Sequence, residues 1–201
     1  MTKGPIEFYF DYSSPYGYLA ATLIEDIGAA HDRPVVWKPI LLGVVFKATQ
    51  MAPLTEVPLK GDYSKHDFAR SCRYHNVPFR MPAVFPIASQ APARGHYWLW
   101  DQDPQLAKRF SLAAYSAYFV EGTDVSAPEA SADIAAALGV DRDAFLAAIG
   151  SPEIKVRLKQ ETEAALAKGV FGSPFMIVDG EPFWGADRLP MLSAWLERGG
   201  W

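Results

Sequence analysis

A strand that runs directly into a helix near the N-terminus constrains this chain more than any other feature. Residues 6–11 (IEFYFD) alternate between apolar and more polar side chains, which is the period of a strand. Apolar residues between positions 18 and 27 recur at helical spacing. Between them, Ser14 followed by Pro15 is typical of an N-cap and a first helical residue. The sequence therefore predicts a strand, a short turn and a helix that begins at Pro15.

The hydroxyl of Ser14 has two interpretations. Most serines that precede a helical proline only cap the helix, and this motif alone favours that role. However, Ser14 also stands at the positive end of a helix, beside unpaired N–H groups. An anion such as a thiolate would be stabilised at this place. The weight of the second interpretation depends on the C-terminal part of the chain.

The C-terminal part predicts an antiparallel hairpin and a last helix. Gly169 ends a helix that begins near Pro152. Residues 175–178 (FMIV) form a short apolar strand, and the Asp-Gly pair that follows is a strong two-residue hairpin signal. Residues 181–184 would return antiparallel, and residues 185–187 would open the last helix.

A proline stands directly before this hairpin. Pro174 has no backbone donor, so it belongs at the start of a strand. Its bond to Ser173 is either an ordinary trans bond, which base rates favour, or a cis bond that forms a sharp turn. We predict the cis bond, because this proline stands at a strand start inside a motif pattern that resembles the thioredoxin-like fold.

The middle of the chain predicts mostly helices. Prolines indicate loops over residues 51–58 and 81–90, and Ser126 with Glu129 is typical of a capping box. A second strand is predicted over residues 34–40. Helical spacing covers residues 64–75, 92–100, 105–121, 126–138, 143–150 and 152–168.

Composition and charge exclude several classes of function. The net charge of −4 does not suggest a nucleic-acid partner or an anionic membrane surface. No apolar run is long enough to span a bilayer and no signal stretch opens the chain, so we expect a cytoplasmic protein. Cys72 is the single cysteine, which excludes dithiol redox chemistry. Residues 60–109 carry eight Lys or Arg against four Asp, a surplus that could attract a small carboxylate or simply solvate a helix.

Two other kinds of site receive little support. His66, Asp67, Cys72 and His75 lie close in sequence, but on one helix His66 points away from the Cys72–His75 side, so we expect no metal. A Ser-His-Asp hydrolase lacks the G-x-S-x-G elbow, and nothing selects a histidine as its base.

Four motifs together resemble one family. They are F-D-x-x-S-P-Y, F-P-I in the middle of the chain, G-V-F-G-x-P, and D-G-x-x-F-W-G-x-D-R-L. With the order of elements, they resemble the 2-hydroxychromene-2-carboxylate isomerases, which belong to the DsbA family and are related to kappa-class glutathione transferases. The resemblance covers nearly the whole chain. It implies an α/β thioredoxin-like fold over residues 1–43 and 151–201, with an inserted all-helical domain over residues 44–150.

The resemblance also implies a glutathione site. In redox members of the fold, C-P-x-C stands where this chain has Ser14-Pro15-Tyr16-Gly17. Ser14 Oγ would donate a hydrogen bond to the sulfur, and the main chain of Ser173 would pair with the cysteinyl part. Asp187 would pair with the γ-glutamyl ammonium; its alternatives are an N-cap or a salt bridge to Arg188. The full set of implied glutathione residues is Ser14, Tyr16, Ser173, Pro174, Trp184, Gly185, Ala186 and Asp187.

The implied reaction interconverts 2-hydroxychromene-2-carboxylates and trans-o-hydroxybenzylidenepyruvates in aromatic degradation. Glutathione adds to the substrate, a bond rotates, and glutathione is eliminated and regenerated. Lys47 and Arg94 are the candidate partners of the substrate carboxylate, and we expect a homodimer. Alternatives are a kappa-like transferase and a non-catalytic thioredoxin-fold binding module. The chain departs from the family pattern at Gln50-Met51 and at Ala88, where asparagine-containing motifs are usual, so we expect the second-substrate pocket to differ from the family more than the fold or Ser14 does.

Overall fold

The computed structural model of the protein describes residues 4–201, which build one mixed sheet surrounded by helices. Four strands lie in the order β2-β1-β3-β4. β1 pairs parallel with β2 and antiparallel with β3, and β3 pairs antiparallel with β4. The strands are β1 (Ile6–Phe10), β2 (Val35–Pro39), β3 (Phe175–Val178) and β4 (Glu181–Trp184). The predicted strands and the hairpin are therefore present.

Ten α-helices occur in the described part of the chain. They are α1 (Pro15–Ala21), α2 (Ile24–Ala30), α3 (Leu42–Thr49), α4 (Lys60–Tyr74), α5 (Gln90–Trp100), α6 (Pro104–Ser116), α7 (Pro128–Ala137), α8 (Arg142–Gly150), α9 (Pro152–Ala167) and α10 (Leu189–Arg198). Two 3₁₀ turns, Leu54–Glu56 and Ala186–Arg188, and a π-helical end of α6, Ala117–Glu121, complete the set. Within residues 4–201, no helix is long and apolar enough to cross a membrane.

The structure corrects two local predictions. The first helix is interrupted after Ala21, where Thr22 donates its hydroxyl to the carbonyl of Leu19 at 2.8 Å and closes the turn. The predicted capping box of Ser126 and Glu129 does not form. Helix α7 begins at Pro128, which suits the first helical position because it lacks an N–H, so the N-cap moves to Ala127. The Ser126 N–H instead donates to the Asp124 carboxylate.

The core lies on both faces of the sheet. β1 is buried along most of its length, since helices cover it on both sides. Aromatic side chains from β1, β2 and α6 form the centre of the largest cluster, among them Phe8, Phe10, Trp37 and Tyr115. A smaller cluster around Phe110 and Phe145 holds α5, α6, α7 and α8 together. Most of the aromatic residues are therefore core residues, as the composition predicts.

Candidate functional site

A cavity of about 1410 Å³ opens where the strand-to-helix turn meets the helical part of the chain. Both ends of the sequence contribute to it, together with the helices between them. Its lining residues are drawn from six segments of the chain, within residues 11–19, 41–46, 51–75, 85–90, 171–174 and 184–190. Such a concave and largely apolar site with a few polar groups is the usual place for a small ligand.

Ser14 lies at the floor of this cavity and caps α1, as its position before Pro15 predicts. Its side chain is almost fully buried. Ser14 Oγ accepts a hydrogen bond from the Gly17 N–H at 3.0 Å and donates one to the Ser173 carbonyl at 2.9 Å. Both interpretations of the residue therefore share one geometry: the hydroxyl caps the helix and also faces the loop before β3.

The loop before β3 presents main-chain groups to the cavity. The Ser173–Pro174 bond is cis, which confirms the prediction. Ser173 Oγ accepts a hydrogen bond from the Asp11 N–H at 3.0 Å, so the side chain of Ser173 points to the turn and not to a ligand. Within residues 4–201, the Ser173 N–H has no acceptor. An extended ligand could pair with it in the manner of an added strand.

The segment after β4 lies beside this loop, since the Gly185 N–H donates to the Pro174 carbonyl at 3.0 Å. Gly185 has φ +109°, and a Cβ there would lie 2.4 Å from Asp187 Oδ1, so only glycine suits this turn. The Asp187 side chain is 73% exposed and forms a salt bridge with Arg188 at 2.8 Å. The main-chain N–H groups of Ala186 and Asp187 have no acceptor in the described part of the chain. Trp184 is half-exposed beside them and packs edge-on against Phe171.

A polar network forms the wall that faces α1. Tyr16 donates its hydroxyl to Asp67 Oδ2 at 2.5 Å, and Arg70 binds the other oxygen of the same carboxylate. Partial burial opposes the effect, but these hydrogen bonds lower the pKa of Asp67 below its usual value. Burial, the hydrogen bond to Asp67 and the negative charge of Asp67 all raise the pKa of Tyr16, which therefore stays a neutral donor.

Comparison with known proteins identifies the family. Residues 5–197 match the DsbA-like thioredoxin domain. This chain belongs to the DsbA-like thioredoxin family. The 2-hydroxychromene-2-carboxylate isomerase of Sphingobium xenophagum is 31% identical over 198 residues, which cover 98% of this chain and 99% of the relative. Glutathione S-transferase kappa 2 of Caenorhabditis elegans is 27% identical, with 95% of this chain and 91% of that protein covered.

A solved structure supports the same relationship. The structure of a 2-hydroxychromene-2-carboxylate isomerase superposes with a TM-score of 0.87 at 28% sequence identity and covers 96% of this chain and 94% of that chain. The predicted thioredoxin-like fold and the predicted resemblance are thereby confirmed. The full-length relatives of this DsbA-like chain are named as isomerases and transferases, so the prediction of an enzyme is confirmed as well.

The structure does not bring the two candidate carboxylate partners into the cavity of this DsbA-like protein. Lys47 lies on the exposed side of α3, and Arg94 lies on α5 one turn after the lining residue Gln90; neither is among the residues that line the cavity. Lys60 and Arg70 line the cavity instead. Sequence reasoning did not single them out, although both belong to the basic segment of residues 60–109. Within residues 4–201, no acidic side chain lies within 4.0 Å of the Lys60 ammonium.

Sequence reasoning also missed Asp11 as a site residue. Asp11 is 2% exposed and lines the cavity together with Ser14. No pattern in the sequence indicates this, because an acidic residue after a strand is normally solvent-exposed.

The single cysteine is not among the residues that line the cavity. Cys72 is buried among apolar side chains, and burial raises the pKa of its thiol to about 11. In the described part of the chain, no group of three or more His, Cys, Asp or Glu residues could hold a metal ion.

Proposed function

We propose that the protein is a glutathione-dependent isomerase that interconverts 2-hydroxychromene-2-carboxylate-type and trans-o-hydroxybenzylidenepyruvate-type compounds. The observation that carries this proposal is the buried Ser14 hydroxyl at the floor of the cavity, 2.9 Å from the Ser173 carbonyl. The near full-length similarity to isomerases of this name supports the choice of reaction.

The residues present fit glutathione. A γ-glutamyl tripeptide needs main-chain partners for its middle residue and donors for its terminal carboxylates. The free N–H groups of Ser173, Ala186 and Asp187 supply such donors along one side of the cavity. The Asp187 carboxylate would pair with the ammonium group, and Tyr16, Pro174, Trp184 and Gly185 would shape the surrounding wall.

Ser14 would stabilise the sulfur as an anion. Bound glutathione supplies a thiol that adds to and leaves an electrophilic carbon, which permits rotation about the neighbouring bond. The Gly17 N–H bond to Ser14 Oγ polarises the hydroxyl and makes it a better donor. The Ser14 hydroxyl donates a hydrogen bond to the Ser173 carbonyl. A ligand N–H that pairs with this carbonyl would release the hydroxyl, which could then donate to an anion.

The cavity would also orient the substrate carboxylate. Lys60 and Arg70 are better placed for this role than Lys47 or Arg94, because only the first pair lines the cavity. Arg70 is already held by Asp67 and by the Tyr63 hydroxyl at 2.8 Å, so its guanidinium is fixed in direction. Aromatic and aliphatic side chains such as Phe46, Phe85 and Ile87 would contact the ring system.

Turnover with and without glutathione tests this function. A 2-hydroxychromene-2-carboxylate is mixed with the protein, and its ring opening is followed by ultraviolet absorbance. We expect conversion only with glutathione present, with the total thiol concentration unchanged at the end. Equal rates without glutathione would contradict the role of the thiol.

A kappa-like transferase is the second candidate, because a kappa-class transferase is similar over nearly the whole chain. Both functions need the Ser14 site, and they differ in whether the thiol is consumed. Loss of thiol in step with the loss of an electrophile, without turnover of hydroxychromene carboxylates, would favour the transferase.

A further inference from the structure

Asp11 is a buried carboxylate at the cavity floor to which the proposed reaction assigns no role. Its side chain accepts four hydrogen bonds. Oδ1 accepts from the N–H and the hydroxyl of Ser13, both at 2.7 Å. Oδ2 accepts from the Leu42 N–H at 2.8 Å and from the Ser89 hydroxyl at 2.9 Å. Burial raises the pKa of Asp11, and these hydrogen bonds offset part of that effect.

The donors require a carboxylate at this position. Each oxygen faces one main-chain N–H, from Ser13 on one side and from Leu42 on the other. A main-chain N–H cannot turn to become an acceptor. An asparagine would therefore place its NH₂ group against one of the two N–H donors in either orientation of the amide.

The main chain of Asp11 joins the same network. Its N–H donates to Ser173 Oγ at 3.0 Å. Its carbonyl accepts from the Ser14 N–H and from the Tyr115 hydroxyl, both at 2.9 Å. One residue thus contacts the turn that carries Ser14, the loop that carries Ser173, and α3.

We propose that Asp11 is a positioning residue that fixes the position of Ser14 relative to the cavity wall of residues 85–89. Oδ1 holds the turn next to Ser14. Oδ2 holds Ser89, near the end of this wall segment, across a separation of 78 residues in the chain. This inference rests on the proposed function, in which Ser14 activates the thiol and the wall contacts the aromatic substrate.

The two serines that bind opposite oxygens provide the test. Ser13→Ala and Ser89→Ala each remove one hydroxyl donor and leave the main-chain donors in place. We expect Ser13→Ala to lower kcat about two- to tenfold and to raise the thiol pKa of bound glutathione, with little change in KM for the aromatic carboxylate. We expect Ser89→Ala to raise that KM by a similar factor and to leave the thiol pKa unchanged.

Crystal structures without ligands supply a readout that does not depend on turnover. In Asp11→Asn, Ser14 Oγ should move away from the Ser173 carbonyl, and residues 85–89 should shift. If Asp11→Asn does not fold, the two serine variants replace it, with a shift expected only on the side of the removed hydroxyl. Wild-type positions throughout, or identical kinetic changes in both serine variants, would overturn the proposal.

These outcomes are separate from a failure of the proposed function. If the wild-type protein does not turn over a hydroxychromene carboxylate with glutathione, the reaction assignment fails. The ligand-free structures would still decide whether Asp11 positions Ser14 and the wall.

Discussion

Ser14 combines two roles that are usually separate, and a pair of variants can distinguish them. As an N-cap it accepts the Gly17 N–H, and as a donor it faces the proposed sulfur site. Removing the hydroxyl should therefore cost both helix stability and stabilisation of the thiolate.

We expect Ser14→Ala to slow isomerisation by about 10²- to 10³-fold, since a donor aimed at an anion in a sheltered site is typically worth that factor. The thiol pKa of bound glutathione should rise, while its affinity changes little. Ultraviolet titration of the bound thiol and initial rates measure the two effects.

Ser151→Ala is the matched control for this experiment. Ser151 also precedes a proline and caps a helix, since it accepts from the Ile154 N–H at the start of α9, away from the cavity. Both variants should lose about 1 kcal/mol of unfolding free energy. Only Ser14→Ala should change the thiol pKa, and an unchanged pKa there would remove the assigned role of Ser14.

Asp187 is expected to contribute modestly to glutathione binding. Its carboxylate is exposed and already paired with Arg188, so solvent screens its attraction to an ammonium group. Asp187→Asn should weaken glutathione binding by less than about tenfold in calorimetry. Asp133→Asn, which alters a similar exposed ion pair with Arg142, should have no effect. A loss of all measurable binding would mean that Asp187 becomes buried in the complex.

At the scale of the element, the first turn of α1 packs closely because of Gly17. A Cβ at this position would lie 2.7 Å from Ser173 Oγ, 2.9 Å from the Tyr115 hydroxyl and 3.1 Å from Ser14 Cβ. In redox members that the chain resembles, the corresponding position carries the second cysteine. The missing side chain therefore lets the turn, α6 and the loop before β3 approach one another.

We expect Gly17→Ala to destabilise the protein by about 1–3 kcal/mol, because the neighbouring atoms must shift. Gly150→Ala is the control, since no atom beyond its chain neighbours and its own helix backbone lies within 4 Å of the added Cβ, and it should cost nothing. Adding Ser173→Ala removes the nearest obstacle, so the double variant should lose less than the sum of the two single variants in urea unfolding. Strictly additive losses of unfolding free energy would show that the contact with Ser173 is not what opposes a side chain at position 17.

At the scale of the whole molecule, His96 links the sheet to the helices. Its Nε2 lies 3.1 Å from the Trp37 carbonyl on β2, and its Nδ1 lies 2.8 Å from Ser111 Oγ on α6. Burial lowers the pKa of His96 to about 3. The side chain is therefore a neutral connector between β2, α5 and α6.

This burial predicts a pH dependence of stability. A histidine in the unfolded chain binds its proton below about pH 6.5, whereas folded His96 does not until about pH 3. The contribution of neutral His96 to the free energy of unfolding is thus complete above pH 6.5. It is lost as the pH falls toward 3, at about 1.4 kcal/mol per pH unit. The stability advantage of wild type over His96→Gln should shrink by about 2 kcal/mol between pH 7 and pH 5 in urea unfolding. A constant difference would show that His96 titrates alike in both states.

Local signals in the sequence were sufficient for the parts of the site that depend on neighbouring residues. Ser14 at the start of α1, the β3–β4 hairpin at Asp179-Gly180 and Pro174 before β3 all follow from turn chemistry and helix capping, which act over a few residues. Similarity to known families then placed these parts in one fold. The same local reasoning failed at Ser126, because Pro128 opens the helix and moves the N-cap to Ala127.

Only the tertiary structure decided which distant side chains share the cavity. Asp67 reaches Tyr16 across 51 residues, and Ser89 reaches Asp11 across 78. Lys60 and Arg70 line the wall while Lys47 and Arg94 do not, although all four are basic residues on helices. The charge pattern of the sequence shows which helices carry basic residues. Which face of each helix is turned toward the cavity depends on how that helix packs against the others. For the same reason the burial of the Asp11 carboxyl group cannot be read from its neighbours in sequence: its donors come from separate segments that only the folded chain brings together.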